Sequence, residues 1–551
     1  MPRALSPSSP AVVVDDLSFA WPDGVPVLDH LSCTFPAART GLIGANGSGK
    51  STLLRLIAGD LRPDAGTVRT TGTVGMVHQQ VAQHPDATVS DLLGITPLRA
   101  ALHAIEAGSL DHQHFDTLGD AWDIEARAAG VLQALGLDAG DRLLDRPATS
   151  LSGGQATQVA LAGAQLAGWD ITLLDEPTNN LDARSRARVY DAVSAWAGVL
   201  VVVSHDRELL ERIDAIVDLD ARGVRTFGGT FSDYLAHRKQ VQAAAERQLR
   251  DADADLARAK SQARAELERE QQRNRSGRRE RAKGNVTRAG ADYLSNRAEK
   301  NSGSKAQVHS DAIERASAAR AEADAAARTL EPIRVDLPST TVPGGKQVIG
   351  VEVAGVRLDL VGPERVRLTG DNGSGKSTLL AWSLGDLVFD GKSAHGYPAS
   401  VLGDARIVMP VSVPVGWLRQ RSDELDRFDT VLDAVRDAAP DRTPHEARAL
   451  LARFQLTRYV PLQAPPTLSG GERFRVALAR VLFADPAPQL LVLDEPTNNL
   501  DLDSVDQLVS ALAGYRGALI VVTHDDHLAG ALEVHREWHV EPGPRIIDRL
   551  A

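Results

Sequence analysis

Residues 44–52 read GANGSGKST, and residues 370–378 read GDNGSGKST. Each follows an apolar run ending in glycine and opens a second one, as in TGLIGANGSGKSTLLRLIAG and VRLTGDNGSGKSTLLAWSLG. A strand, then G-x-x-x-x-G-K-[S/T], then a helix makes a phosphate cradle. Glycines let backbone N–H groups approach oxyanions, and the helix start favours negative charge. Gly44, Asn46, Gly47, Gly49, Lys50, Ser51 and Thr52 form the first loop, and Gly370, Asn372, Gly373, Gly375, Lys376, Ser377 and Thr378 the second. Lys50 and Lys376 are expected to reach β and γ phosphates, and the hydroxyls of Ser51 and Ser377 to bind Mg²⁺.

Working outward, the two loops lie 326 residues apart, and further landmarks recur in the same order. LSGGQ at 151 and LSGGE at 468 are offset by 317, LLDEPTNNLD and VLDEPTNNLD by 319, and SHD at 204 and THD at 523 by 319. Such near-constant offsets indicate a duplicated α/β domain. The runs ITLLDE and QLLVLDE read as buried parallel strands whose carboxyl ends meet the ligand. Asp175 and Asp494 then suit a Mg²⁺ shell, and Glu176 and Glu495 stand where a carboxylate polarises an attacking water.

Between the repeats, residues 236–334 differ in character. Val241, Ala245, Leu249, Ala252, Leu256, Ala259, Ala263 and Leu267 recur at steps of three and four, and so do Val308, Ala312, Ala316, Ala319, Ala323, Ala326 and Leu330. This predicts two long helices packed along small apolar seams, the first about 35 residues and some 50 Å long, the second closed by Glu331-Pro332. The turn between them, 271–305, holds ten Lys or Arg against Glu280, Asp292 and Glu299. It carries about +7 within a chain of net charge −12, and Gly277, Gly284 and Gly290 mark it as a broken hinge. Clustered charge of this kind points to nucleic acid, with Arg273, Arg275, Arg278, Arg279, Arg281, Lys283 and Arg288 as the contacts. Tyr293 and Leu294 lie within the same turn. Domains are therefore expected at 1–235, 236–334 and 335–551.

Composition narrows the classes further. The 551 residues are 43% hydrophobic and 24% charged, an ordinary globular balance. Cys33 is the single cysteine, which excludes an intramolecular disulfide or zinc cluster and fits a reducing cytoplasm. The first residues lack a secretory pattern, and the most apolar stretches, GVLVVV and ALIVVT, are far too short to span a bilayer.

Together, LSGGQ, LSGGE and the phosphate loops resemble the ATP-binding cassette family, from end to end of both repeats. Two such cassettes with DEPTNNLD, a helical linker and no spanning segment resemble its ABC-F subfamily, and GGTFSDYLAHRKQ at 228–240 is similar to that subfamily's cassette-to-linker junction. The resemblance implies a head-to-tail clasp within one monomeric chain, binding two ATP with Mg²⁺. Ser469, Gly470, Gly471 and Glu472 would cover the ATP on Lys50; Ser152, Gly153, Gly154 and Gln155 would cover that on Lys376. It further implies Gln79 and Gln420 as γ-phosphate and metal sensors, His205 and His524 as switch histidines, and Asp182 and Asp501 as the loops joining the sites. Trp21 stands where the family stacks adenine. The equivalent stretch VIGVEVAGVRLDLVG has no aromatic, so base selectivity at the second site is expected to be looser. Glu472, in place of glutamine, is expected to be a mild change.

Family membership implies a ribosomal partner: the ATP-bound form enters the exit site, with the linker tip aimed at peptidyl-site tRNA and the catalytic centre. Antibiotic protection and translation regulation both fit, and the long tip favours protection. The extra residues around 96–125 in the first cassette are not basic and do not resemble a large ribosome-gripping arm. Two other classes stay open. One is the motor of a drug exporter with separate membrane subunits, in which the basic tip has no evident use. The other is a DNA-handling ATPase, which would call for zinc cysteines or a split cassette.

Overall fold

The computed structural model describes residues 10–22, 24–77, 87–137, 142–220, 223–282, 307–324, 333, 337–385, 405–419, 422–498, 500–541 and 545–550. The chain divides into two compact units, residues 1–231 with 332–551, and residues 232–331.

In the first unit the duplication is visible strand by strand. β1 (Pro10–Ala20), β2 (Pro26–Pro36) and β4 (Ala65–Thr70) form an antiparallel sheet, while β3 (Arg39–Gly44), β5 (Val74–Val77), β6 (Ile171–Asp175), β7 (Val199–Val203), β8 (Ala215–Asp220) and β9 (Gly223–Gly228) form a six-stranded one. The second half supplies β10 (Gln347–Val353), β11 (Val356–Val361), β12 (Arg365–Gly370), β13 (Arg406–Met409), β14 (Val415–Leu418), β15 (Leu490–Asp494), β16 (Ala518–Val522), β17 (Arg536–Glu541) and β18 (Arg545–Leu550). Strand order is β5-β6-β7-β3-β8-β9 in one large sheet and β14-β15-β16-β12-β17-β18 in the other, each parallel except at its last strand. The predicted strands ITLLD and LLVLD lie second in their sheets, flanked on both sides and buried.

Burial on both faces explains the near-continuous apolar runs. Leu42, Leu53, Leu173 and Val201 pack with the β1–β2 hairpin in the first half, and Leu368, Leu379, Val492 and Ile520 with the β10–β11 hairpin in the second. The edge strands carry matched glycines. A Cβ on Gly75 would stand 1.8 Å from the Trp169 ring, and one on Gly416 would stand 2.7 Å from Val481. Residues 96–125 fold as helices Thr96–Glu106 and His112–Leu118, leading into Ile124–Ala134. Arg99 ties them by bonding Glu125 at 2.7 Å and Asp145 at 2.8 Å.

In the second unit the first linker helix runs from Phe231 to Ala282, 52 residues, or about 80 Å. It is longer than the expected 35 residues, and it passes through Gly277 without a hinge. One glycine costs a helix only about 1 kcal/mol, and the Arg and Glu residues around it are good helix formers. Ala245, Leu249, Ala252, Leu256, Ala259 and Ala263 are half-buried along one stripe, whereas its expected ends, Val241 and Leu267, are exposed. Residues 307–324 form the returning helix, with Ala312, Ala316 and Ala323 half-buried and Val308 and Ala319 exposed. Arg320 donates to Asp253 at 3.0 Å and joins the two helices. Arg273, Arg275, Arg278, Arg279 and Arg281 fall on the last turns of the first helix. Lys283, Arg288, Tyr293, Leu294, Gly284, Gly290, Ala326, Leu330 and Glu331-Pro332 lie outside the described residues.

Candidate functional site

Each phosphate loop is shaped by its glycines. Gly49 and Gly375, with φ of 93° and 98°, turn the chain into helices Lys50–Ala58 and Lys376–Ser383. Gly47 and Gly373 are also left-handed. At Gly44 and Gly370 a Cβ would strike a backbone carbonyl, Leu219 O at 2.3 Å and Val540 O at 2.2 Å, so no side chain fits where the strand leaves the sheet. Lys50 and Lys376 are buried, 7% and 6% exposed. Lys50 Nζ donates to Gly44 O and Ala45 O at 2.9 Å, and Lys376 Nζ to Gly370 O at 2.8 Å and Asp371 O at 3.1 Å. Burial pulls both ammonium groups below the usual lysine range, opposed by Glu176, Asp501 and Asp175 at Lys50 and by Glu495, Asp494 and Asp182 at Lys376. In each case one opposing aspartate belongs to the other half of the chain.

The strand-end acids stand directly beside these loops. Ser51 Oγ donates to Asp175 at 3.1 Å, and Ser377 Oγ to Asp494 at 3.4 Å. Burial raises the Asp494 carboxyl above its ordinary range. Each hydroxyl–carboxylate pair is a hard oxygen set, suited to Mg²⁺ that takes its other ligands from phosphates and water. Among the described residues no three His, Cys, Asp or Glu side chains gather into a metal cluster. Thr52 and Thr378 are buried under the loops.

Glu176 and Glu495 occupy left-handed backbone, φ 47° and 46°, uncommon outside glycine. Their N–H groups bond Val203 O and Val522 O at 2.9 Å, at the ends of the neighbouring strands. The same left-handed residue follows the strand in both halves, and the Glu495 carboxylate accepts from Asn498 Nδ2. His205 Nε2 lies 3.3 Å from Glu176 Oε1. Burial lifts the Glu176 carboxyl to about 8 and lowers the His205 imidazole to about 3. His524 is likewise lowered to about 4, first by burial and then by Lys376. Its Nε2, like Nδ1 of His205, is buried with no hydrogen-bond partner among the described residues.

The two halves meet across these loops. Asp501 accepts from the Asn46 N–H at 2.8 Å, and Asp182 accepts from the Asn372 backbone. Each aspartate also caps its own helix, Asp182 through Ser185 N and Asp501 through Ser504 N, both at 2.8 Å. Asn372 Nδ2 donates to Asn180 O at 2.6 Å. A Cβ on Gly470 would lie 3.9 Å from Asn46 Nδ2, whereas one on Gly153 would meet nothing within 4 Å. The signature of the second half thus reaches the loop of the first.

Ser152 and Ser469 start helices Gly153–Ala167 and Gly470–Leu482 through capping boxes with Gln155 and Glu472. Glu472 keeps the cap and also accepts the Ser469 hydroxyl at 2.6 Å. Gly154 and Gly471 pack on Ser185 and Ser504. Trp21 sits in the loop joining β1 to β2, 37% exposed, edge-on to Phe19 at 5.2 Å and under Arg55. In the second half that loop shrinks to Ala354-Gly355, both with positive φ, a two-residue turn with no room for a ring. Gln79 and Gln420 lie outside the described residues.

Sequence reading passed over two features. Arg207 Nη2 bonds Asp506 Oδ1 at 2.6 Å between the halves. Gln158 and Arg188 pair at 3.0 Å in the first half, and Arg475 and Gln507 at 3.2 Å in the second, with amide and guanidinium exchanged between helices. Aligning the two repeats position by position would have exposed the second feature.

The family model described as ABC transporter matches residues 28–179 and 353–498. The tylosin resistance ATP-binding protein TlrC of Streptomyces fradiae is 34% identical, covering 91% of this chain and 92% of its own. The probable ATP-binding protein YheS of Escherichia coli K12 is 30% identical over 91% of this chain and 74% of its own. The energy-dependent translational throttle protein EttA of Mycobacterium tuberculosis is 27% identical over 91% and 86%. Among solved structures, the archaeal ribosome recycling factor aABCE1 in complex with stalk protein aP1 covers 97% of this chain and 89% of its own, at TM-score 0.54 and 18% identity, a likeness of fold.

Proposed function

From the premise that this chain belongs to the ABC-F subfamily of ATP-binding cassette proteins, and is an ATP-hydrolysing ATPase, we propose that it is a ribosome-binding switch. The observation that carries the switch is the reciprocal contact of each phosphate loop with the other half, Asn46 with Asp501 and Asn372 with Asp182. Neither half completes a site alone, so two ATP molecules fasten one chain upon itself.

In this reading Lys50 and Lys376 leave the loop carbonyls to hold phosphate oxygens, and Ser469 to Gly471 and Ser152 to Gly154 close over them from the opposite half. Ser51 with Asp175, and Ser377 with Asp494, would hold Mg²⁺, which when bound offsets charge on the phosphates. Glu176 and Glu495 orient the attacking water and take its proton. His205 and His524 offer their unpartnered nitrogens to the γ-phosphate. Both sites keep this set, so both hydrolyse ATP. Closure favours ribosome binding, and hydrolysis releases it.

Ribosomal partnership is supported by the kinship with TlrC and EttA and by the arginines on the last turns of the 52-residue helix. Phosphate-rich folded RNA suits such a surface. We place the closed form in the ribosomal exit site, with the tip toward peptidyl-site tRNA, in a cytoplasmic protein that protects ribosomes from antibiotic. Among the described residues no helix is long and apolar enough to cross a membrane. Cell-free translation inhibited by tylosin tests this reading. Restored synthesis on adding the protein supports protection, and unrestored synthesis with slowed drug-free translation assigns it to regulation instead.

Two expectations concern the first site, measured with Glu495→Gln so that Lys50's site alone turns over. Because kcat/KM reports groups of the free enzyme, it should rise with pH through about 8 as Glu176 loses its proton. A profile flat from pH 6 to 9 would contradict the assignment. Trp21→Ala removes a stacking face worth on the order of 1 kcal/mol and should raise KM for ATP about fivefold, with kcat little changed.

A further inference from the structure

The two sites are fastened by different contacts, and one of the differences lies beside the switch histidines. Arg207 opens the short helix Arg207–Leu210 two residues after His205, and it bonds Asp506 of the second half at 2.6 Å. Its side chain is 18% exposed. Asp506 lies on helix Leu502–Leu512, whose capping Asp501 holds the Asn46 N–H. The pair therefore ties the segment carrying His205 to the helix that closes Lys50's loop.

By the 319-residue offset, the counterparts are Asp526 for Arg207 and Ala187 for Asp506. An aspartate and an alanine form no ion pair. Asp526 instead turns into its own half and accepts from Arg367 at 2.6 Å. On the Lys376 side the further bond between the halves is the neutral one from Asn372 Nδ2 to Asn180 O at 2.6 Å.

We propose that Arg207 and Asp506 are positioning residues that hold the Lys50 site shut, so that the Lys376 site opens first and the Lys50 site releases its nucleotide last. This rests on the two-site clasp proposed above. The Arg207 end of the pair is enclosed while Asp506 is 57% exposed, so removing the Asp506 carboxylate leaves an enclosed guanidinium unpaired across the interface and should appear in the opening rate.

The test uses the full chain with Glu176→Gln and Glu495→Gln, loaded with ATP and chased with excess ADP. Dye pairs on introduced cysteines report the gap across each site. Cys33 can stay, since burial pushes its thiol up to about 12 and leaves it inert to labelling. The parent should open at the Lys376 side first. Asp506→Ala should speed opening at the Lys50 side about fivefold, or about 1 kcal/mol, and change the Lys376 side less than about twofold. Arg207→Lys should retain part of the delay, and the exchange Arg207→Asp with Asp506→Arg should restore it. Equal acceleration of both sides, or no rescue by the exchange, overturns the latch while leaving the clasp intact. If ATP closes neither side of the parent, the clasp itself fails and the latch with it.

Discussion

Replacing both Glu176 and Glu495 by Gln should lower ATP turnover by roughly 10²-fold or more, the range a positioned general base supplies, while leaving ATP bound. Glutamine keeps the shape of each side chain and the N–H bonds to Val203 O and Val522 O that fix it. It cannot take a proton from water. Each single substitution should remove only its own site's contribution, because each carboxylate sits beside a separate Lys, Ser and Asp set. Steady-state phosphate release checks this. Turnover unaffected by either single change would remove that glutamate from the chemistry. Retained ATP should leave the double variant closed.

The second large effect concerns the linker helix. Changing Arg278, Arg279 and Arg281 to Ala should weaken binding to ribosomes at least tenfold and flatten its dependence on salt by roughly two to three in slope, as three fewer phosphate contacts require. ATP hydrolysis by the free protein should not change. Filter binding at several salt concentrations reads both quantities. Weaker binding with an unchanged slope would mean that these arginines hold the helix end and not RNA phosphate.

Much of this architecture is legible from residue order alone. The phosphate loops, the LDE strand ends and the SHD and THD segments are short, local patterns whose chemistry demands fixed neighbours, and the structure gathers them at corresponding strand ends in both halves. Contacts between the halves were harder to see, because they depend on how two surfaces meet. Arg207 and Asp506 stand 299 residues apart, and nothing in the local pattern of either points to the other. Length was misjudged where propensity and pattern compete, so Gly277 read as a hinge although good helix formers around it carry the helix on to Ala282.

The missing adenine ring of the second half has a plain cause. Its hairpin closes in a two-residue turn, Ala354-Gly355, where the first half uses Trp21 to Val25. Glu472 also proves explicable. It serves the same capping box as Gln155, and Arg475 on the next turn supplies a compensating charge, being itself lowered by burial and raised by Glu472. The Gln158–Arg188 pair of the first half recurs as Arg475–Gln507 in the second, which puts the arginine on the same helix as Glu472.

The central claim is that ATP closes the cassettes into a form that binds ribosomes. The most direct test is to sediment the Glu176→Gln, Glu495→Gln protein through sucrose with ribosomes, with and without ATP, and in parallel with membranes. The account predicts that the protein travels with ribosomes only when ATP is present and stays behind when mixed with membranes. Protein that remains free of ribosomes with ATP, or that pellets with membranes, would contradict it and return the chain to an exporter's motor.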